Sequence, residues 1–146
     1  MKTLSLMICI LITINTYSQT FVAIETTTKG FGMAVGIQSE EGLQILGGYN
    51  VSIVNSRNPK LFYGKAGYNI LLSHNDEDNF SITPTIGAAQ SSVKVFDSKD
   101  TPTTIKGIKP IYGLELGKDW YMGRLFVSAN YCSTAYYGIG IKAFFK

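Results

Sequence analysis

The single histidine is the side chain best suited to act as a general base. His74 follows Ser73 and comes just before the acids Asp76, Glu77 and Asp78. A serine hydrolase holds nucleophile, base and acid within hydrogen-bonding reach in three dimensions, and adjacent residues of one turn seldom provide that geometry. The same run offers oxygen ligands for calcium, but it lacks the spacing and central glycine of an EF-hand loop. We therefore expect a solvated turn here, with no catalytic residue, no metal site and no enzyme.

Other reactive or cofactor-binding patterns are equally weak. Cys9 lies in the apolar N-terminal segment, so Cys132 is the one cysteine of the remaining chain and is expected to be a packed residue. The glycines form no phosphate-binding fingerprint ahead of a helix, and no cofactor is expected. The net charge of +3 is spread along the chain without a run of Lys or Arg, which argues against a nucleic-acid partner.

The N-terminus has the three parts of a secretory leader. Lys2 is followed by an apolar stretch at 4–14, and Thr16 and Ser18 place small residues at a cleavage site. The apolar stretch is well short of the roughly 20 residues that a membrane-spanning helix needs. We predict a signal peptide at residues 1–18 and one exported domain at 19–146.

The rest of the chain alternates with the period of a β-strand. In the last segment, Tyr137, Ile139 and Ile141 share one parity while Gly138 and Gly140 share the other. Eight such segments fall at 22–25, 31–38, 43–53, 62–72, 80–88, 108–117, 121–131 and 136–146. Turn-forming residues connect them at 26–30, 39–42, 55–60, 73–79, 96–107, 117–120 and 132–134. Short connectors favour an antiparallel meander, and closing it into a barrel removes the exposed edges.

The direction of the apolar side decides between two kinds of barrel. The other side of each strand carries mostly Gly, Ser, Thr, Asn and Ala, which is too small and too sparsely charged for a typical solvated surface. Turned inward, these residues suit the narrow interior of eight strands, and the apolar side then faces lipid with aromatic residues near the strand ends. The sequence therefore predicts an all-β fold, an eight-stranded antiparallel up-and-down transmembrane β-barrel. A soluble lipocalin-like ligand-binding barrel, with its apolar side inside, is the structural alternative.

Charged residues on the inward side are expected to pair across the interior, because an unpaired charge there would be costly. They form a predicted polar network that plugs the lumen: Glu25, Lys65, Lys109, Glu115, Arg124 and Lys142.

The pattern resembles the family of small eight-stranded outer-membrane barrels of the OmpX and OmpA transmembrane-domain type, which are grouped loosely with porin-like proteins. The most specific element is the C-terminal strand at 136–146, which looks like the family's aromatic-ended signal to the barrel-assembly machinery, although Lys146 follows Phe145 here. The resemblance implies the outer membrane of a Gram-negative bacterium. It also implies periplasmic turns at 39–42, 73–79 and 117–120, with the other connectors outside.

Two functions remain open for such a barrel. One is a structural or interaction role in the cell envelope, in which short basic outer loops contact lipopolysaccharide or another protein. The residues expected to make those contacts are Arg57, Lys60, Lys99 and Lys106. The other is a narrow channel for small solutes, which needs a continuous wet path through the lumen.

Overall fold

The computed structural model describes residues 18–52, 60–73, 79–96 and 102–145, with only the backbone described at 52, 60, 91–96 and 102–106. The predicted leader lies almost entirely outside these ranges, since the first strand begins at Ser18. In the described part of the chain, helices of the length and apolarity needed to span a membrane are absent.

The described residues form strands joined in one sheet. The strands are β1 (Ser18–Thr27), β2 (Gly30–Ser39), β3 (Leu43–Ser52), β4 (Lys60–Tyr68), β5 (Ile70–Leu71), β6 (Asn79–Phe96), β7 (Pro102–Trp120), β8 (Gly123–Cys132) and β9 (Thr134–Phe145). Both β4 and the two-residue β5 pair with β6, so they are consecutive parts of one strand interrupted at Asn69.

The sheet closes on itself. With β4 and β5 counted as one strand, each strand pairs antiparallel with the next along the chain, and β1 also pairs with β9, where Glu25 lies opposite Gly140. The ring therefore has no long unpaired seam, and the prediction of an eight-stranded antiparallel barrel is confirmed. The start of β1, the end of β9 and the turns at 40–42 and 121–122 lie at one end, called the terminal end below. The turns at 28–29 and Ser133 and the β6–β7 hairpin lie at the other, the hairpin end.

Two predicted connectors were wrong. Residues 96–107 were expected to form a loop, but β6 continues to Phe96 and β7 begins at Pro102, with Val93 opposite Ile105. These β-branched residues favour a pleated strand despite the polar residues around them. The turn expected at 117–120 lies instead at 121–122, because Asp119 remains in β7 opposite Arg124.

The apolar side chains face outward. Leu125, Val127, Ile139 and Ile141 are 45–54% exposed, whereas the interior residue Phe21 is fully buried. This distribution confirms the predicted inside-out arrangement. The lipocalin-like alternative is wrong for this fold, because it requires the apolar side chains inside.

Interior glycines make room for large interior side chains. Phe21 lies opposite Gly36, and a β-carbon at position 36 would come within 2.5 Å of its ring. Phe126 covers Gly140 in the same way on the neighbouring strands. An eight-stranded barrel is just wide enough for side chains to fill it, so a bulky residue on one strand requires a missing side chain beside it.

Two turns depend on unusual backbone angles. Gly42 has a φ of 100°, a value that glycine adopts without steric cost, and its amide donates to the Ser39 carbonyl. Ser133 alone links β8 to β9, and its φ of 65° is left-handed. The barrel wall between β8 and β9 therefore ends abruptly at the hairpin end.

Gly87 provides a test of the β4–β6 closure. A β-carbon at position 87 would overlap the Gly64 carbonyl oxygen, whereas one at position 64 would meet its nearest atom, the Leu46 carbonyl oxygen, at an ordinary contact distance of 4.0 Å. We expect Gly87→Ala to lower the free energy of unfolding by about 1–3 kcal/mol, the usual cost of overpacking. Gly64→Ala is the matched control and should change it by less than about 0.5 kcal/mol. Urea unfolding in detergent micelles measures both, and equal effects would contradict the close approach of β4 and β6.

Candidate functional site

The interior of the barrel is the candidate site, and its polar contacts form three groups along the axis. Nearest the terminal end, Arg124 makes a two-pronged ion pair with Asp119, in which Nη2 lies 3.0 Å from Oδ2. Arg124 Nη1 also donates to Asn69 Oδ1 at 3.0 Å, and Thr83 Oγ1 donates to the same oxygen at 2.9 Å. Asn69 thus joins the β4–β5 break to the plug.

The second group is a buried ion pair. Lys142 Nζ lies 2.6 Å from Glu115 Oε1 and also donates to Gln44 Oε1 at 3.3 Å. The Lys142 ammonium is 5.1 Å from the centre of the Phe21 ring and 5.2 Å from that of Phe126. Two aromatic faces and two oxygens therefore surround a cation that is almost completely removed from solvent.

The third group lies closer to the hairpin end. Ser128 Oγ donates to Glu25, and Asn130 Nδ2 donates to Ser128 Oγ at 3.0 Å. Lys65 Nζ donates to Asn130 Oδ1 at 2.6 Å, so a chain of hydrogen bonds connects the Glu25 carboxylate to the Lys65 ammonium. The partly buried charges of Glu25 and Lys65 are thus linked through two neutral side chains.

An apolar layer covers this third group at the hairpin end. Tyr136, Ile111 and Ala89 are buried together, and the half-buried Tyr63 and Cys132 pack against them. Cys132 has the packed position expected from the sequence. The plug is therefore partly aromatic, whereas the sequence predicted only a polar one.

Free volume inside the plug is small. A cavity of about 30 Å³ lies among Glu25, Lys65, Glu115 and Lys142, which has room for only a few water molecules. Larger spaces of about 420 and 500 Å³ open at the terminal end, and both reach Asp119 and Arg124. The described interior therefore has an open chamber at one end and a filled centre.

The structure brings together five of the six residues of the predicted network. Glu25, Lys65, Glu115, Arg124 and Lys142 all lie in the groups described above. Lys109 does not join them. It is exposed because β7 continues past the end of β8, whose pairing with β7 stops at Tyr112.

The ion partner of Arg124 was missed. The predicted network contained only two acids, Glu25 and Glu115, but Arg124 pairs with Asp119, which had been assigned to a turn. Glu115, Gly117 and Asp119 are alternate residues of β7 and therefore point to the same side. Continuing this alternation past Gly117 would have placed Asp119 inside the barrel.

The remaining predicted positions lie either outside the described residues or within strands. Arg57, Lys99 and His74, together with the acids at 76–78, lie outside the described residues. Lys60 begins β4 and Lys106 lies in β7 opposite Ser92, so both belong to strands and not to the predicted loops. Within the described ranges, His, Cys, Asp and Glu side chains form no group of three or more that would hold a metal ion.

Comparison with solved structures agrees with this architecture. The N-terminal β-barrel domain of Pseudomonas aeruginosa OprF superposes with a TM-score of 0.61 at 11% identity, covering 87% of this chain and 97% of that one. Ail, the attachment invasion locus protein of Yersinia pestis, gives 0.58 at 14% identity, with coverage of 88% and 97%. Neisserial surface protein A gives 0.59 at 14% identity, with coverage of 88% and 96%.

The chain has the fold of a small eight-stranded outer-membrane β-barrel. The resemblance inferred from the strand pattern is thereby confirmed at the level of fold. The likeness spans nearly the full length of each of these barrels and 87–88% of this chain. No protein-family model and no curated protein matches the sequence.

The buried Lys142–Glu115 pair yields a stability test. Glu115→Ala leaves the Lys142 ammonium buried with only Gln44 as partner, and we expect the free energy of unfolding to fall by about 3–5 kcal/mol. The double variant Glu115→Leu/Lys142→Met replaces the pair by apolar groups and should recover most of that loss.

Lys109→Ala, which removes an exposed lysine on the same strand as Glu115, is the control and should change stability by less than about 0.5 kcal/mol. Urea unfolding of all three variants in the same micelles makes the comparison. A Glu115→Ala variant as stable as the control would show that the interior is wet enough to solvate Lys142.

Proposed function

We propose that the protein is a non-conducting β-barrel of the bacterial outer membrane that serves a structural or interaction role in the cell envelope and performs no catalysis. The observation that carries the proposal is the filled interior. Arg124, Phe21 and Lys142 are each at most 1% exposed, and the cavity between the polar groups has room for only a few water molecules.

The membrane location is supported by the outer surface. Its apolar residues form a continuous band, and exposed aromatic side chains occur toward both ends of that band. Tyr112, Tyr131 and Tyr137 lie toward the hairpin end, while Trp120 and Phe80 lie toward the terminal end. Such girdles suit the two membrane interfaces of a barrel. We place the terminal end in the periplasm, and insertion is proposed to use the barrel-assembly machinery.

The interaction role is assigned to the hairpin end. There the β6–β7 ladder continues to Phe96 opposite Pro102, ten residues beyond the last β7 residue that pairs with β8. The ladder therefore extends past the described end of β8. Lys106 lies in it and Lys99 falls between β6 and β7 in the sequence, and we propose that their charge suits the phosphates of lipopolysaccharide.

A narrow channel is the second candidate, because a chamber is already open at the terminal end. The Arg124–Asp119 ion pair and the Lys142 layer would both have to move before an ion could pass.

Recordings in planar bilayers separate the two functions. We expect the wild-type barrel to give no stable unit current, because the charged side chains of the plug are held by hydrogen bonds and ring faces. Phe126→Gly/Lys142→Gly removes two of the largest plug residues and should produce measurable currents. This variant is the positive control, because its currents show that the recording detects inserted barrels. Heat-dependent gel migration verifies that both proteins are folded. Stable unit currents from the wild type would contradict the proposed function.

A further inference from the structure

The cavity at the centre of the plug lies between two of its three polar groups. Its lining includes Glu115 and Lys142 of the second group and Glu25 and Lys65 of the third. In the described part of the chain the two groups share no direct hydrogen bond, and this space of about 30 Å³ lies between them. The cavity is therefore placed where a bridging molecule would join the two groups.

One hydroxyl at this cavity lacks a partner. Thr85 points inward from β6 and lines the cavity, and its Oγ1 is buried without a hydrogen bond to any described residue. Opposite it on β7 stands Gly113, where a β-carbon would come within 2.5 Å of both Thr85 Oγ1 and Asn130 Oδ1. The missing side chain at position 113 thus leaves two oxygens facing the same space. Burying a hydroxyl without a partner is costly, and a small molecule that bonds to Thr85 removes that cost.

The charged groups around the cavity also have hydrogen-bonding capacity left. An ammonium group has three N–H donors. Lys65 uses one of them for Asn130 Oδ1, and Lys142 uses two, for Glu115 Oε1 and Gln44 Oε1. The hydrogen bonds of the Glu115 carboxylate within the described ranges go to Oε1, which leaves the lone pairs of Oε2 available. The lining therefore offers donors and acceptors together.

Charge and size identify the class of molecule that fits. Two carboxylates and two ammonium groups line the cavity, so the site has no net charge to attract an ion. Because a cavity needs about 10–15 Å³ of such space to hold one water molecule, this one admits about two and excludes larger polar solutes. Buried water typically makes two to four hydrogen bonds, and it both donates and accepts, as this lining requires.

Packed side chains cover both directions out of the cavity. Toward the hairpin end lies the apolar layer that contains Tyr136 and Ile111. Toward the terminal end, the rings of Phe21 and Phe126 flank the Lys142 ammonium. A water molecule at this site can leave only when these side chains move, so it stays far longer than water on the protein surface.

We propose that the cavity binds about two ordered water molecules, which bridge the Glu115–Lys142 pair to the Glu25–Lys65 chain and are positioned by the Thr85 hydroxyl. A water-mediated hydrogen bond is nearly as favourable in enthalpy as a direct one, so the bridge unites two of the three polar groups into one network. The inference rests on the filled interior of the proposed function, and it is independent of the interaction role at the rim.

The test counts long-lived water by oxygen-17 relaxation dispersion of the full barrel in detergent micelles. This signal comes from water oxygen alone, so exchange of side-chain protons does not contribute to it. Thr85→Val replaces the hydroxyl by a methyl group, and we expect it to lose at least one long-lived water relative to the wild type. Thr85→Ser keeps the hydroxyl and should keep the water.

Ser81→Ala is the matched control. Ser81 is a second inward residue of β6 whose buried hydroxyl has no partner among the described residues, but it does not line this cavity. The count of long-lived water should therefore be unchanged in this variant. A loss equal to that of Thr85→Val would show that the effect is not specific to the cavity and would contradict the proposal.

Urea unfolding gives a second readout, in which the sign of the change decides. If Thr85 holds a bridging water, Thr85→Val should raise the equilibrium constant of unfolding about fivefold, the effect of losing one ordinary hydrogen bond. If Thr85 has no partner of any kind, the same variant should lower that constant or leave it unchanged, because a buried hydroxyl without a partner is itself unfavourable. Heat-dependent gel migration verifies that every variant is folded.

The remaining outcomes separate the water site from the wider proposal. Equal water counts in the wild type and Thr85→Val overturn the water site. A loss of stability when choline replaces sodium at constant ionic strength would assign the cavity to a metal cation and also overturn it, because choline is too large to enter. If the wild type holds no long-lived water and gives no current in planar bilayers, only the water site fails. If it gives stable currents as well, the filled interior and the proposed function fail with it.

Discussion

Closure of the sheet is the constraint on which the other features depend. In hydrocarbon, a backbone N–H or C=O group without a partner costs several kcal/mol, so a sheet is stable there only as a complete ring. The β1–β9 and β4–β6 pairings complete that ring here. Once it is closed, alternate side chains must point into a narrow cylinder, and the others must point out. The apolar outer band and the crowded interior are both consequences.

The crowded interior explains why charge, aromatic rings and glycine occur together. Arg124 and Lys142 lie opposite each other on β8 and β9, and each is paired with its own acid, Asp119 and Glu115. Lys142 lies between the rings of Phe21 and Phe126, and those rings lie over Gly36 and Gly140. Such a layer is stabilised by packing as well as by the ion pair. Because the interior is filled, we assign the proposed interaction role to the outer surface and the rim.

The sequence predicted the number of strands, the class of barrel and the inward or outward direction of most side chains. All three predictions rest on segments in which apolar and small or polar residues alternate. Glu115 and Lys142 were placed inside by parity alone. The errors concern where each strand ends, which the alternation of side chains does not determine. Lys109 has inward parity, but its height along β7 depends on where β8 ends. Asp119 was missed because turn-forming neighbours suggested that the strand had stopped.

Register was the other missing quantity. The fit of Phe126 to Gly140 depends on which residues of neighbouring strands lie opposite each other, and one sequence does not fix that. The break at Asn69 was also hidden, because the alternation of Tyr68 and Ile70 continues across it. Only the structure shows that the buried Asn69 side chain accepts from Arg124 and Thr83 at that point.

The central claim is that the apolar parity meets lipid while the small and charged parity fills the cylinder. It is tested most directly by paramagnetic relaxation of methyl-labelled protein in nanodiscs that contain lipids with nitroxide-labelled acyl chains. The account predicts strong signal loss for the methyl groups of Leu125, Val127, Ile139 and Ile141, and little loss for those of Ala23 and Ala34 inside. Protection of the first four methyl groups together with signal loss at Ala23 and Ala34 would reverse the orientation of every strand and contradict the account.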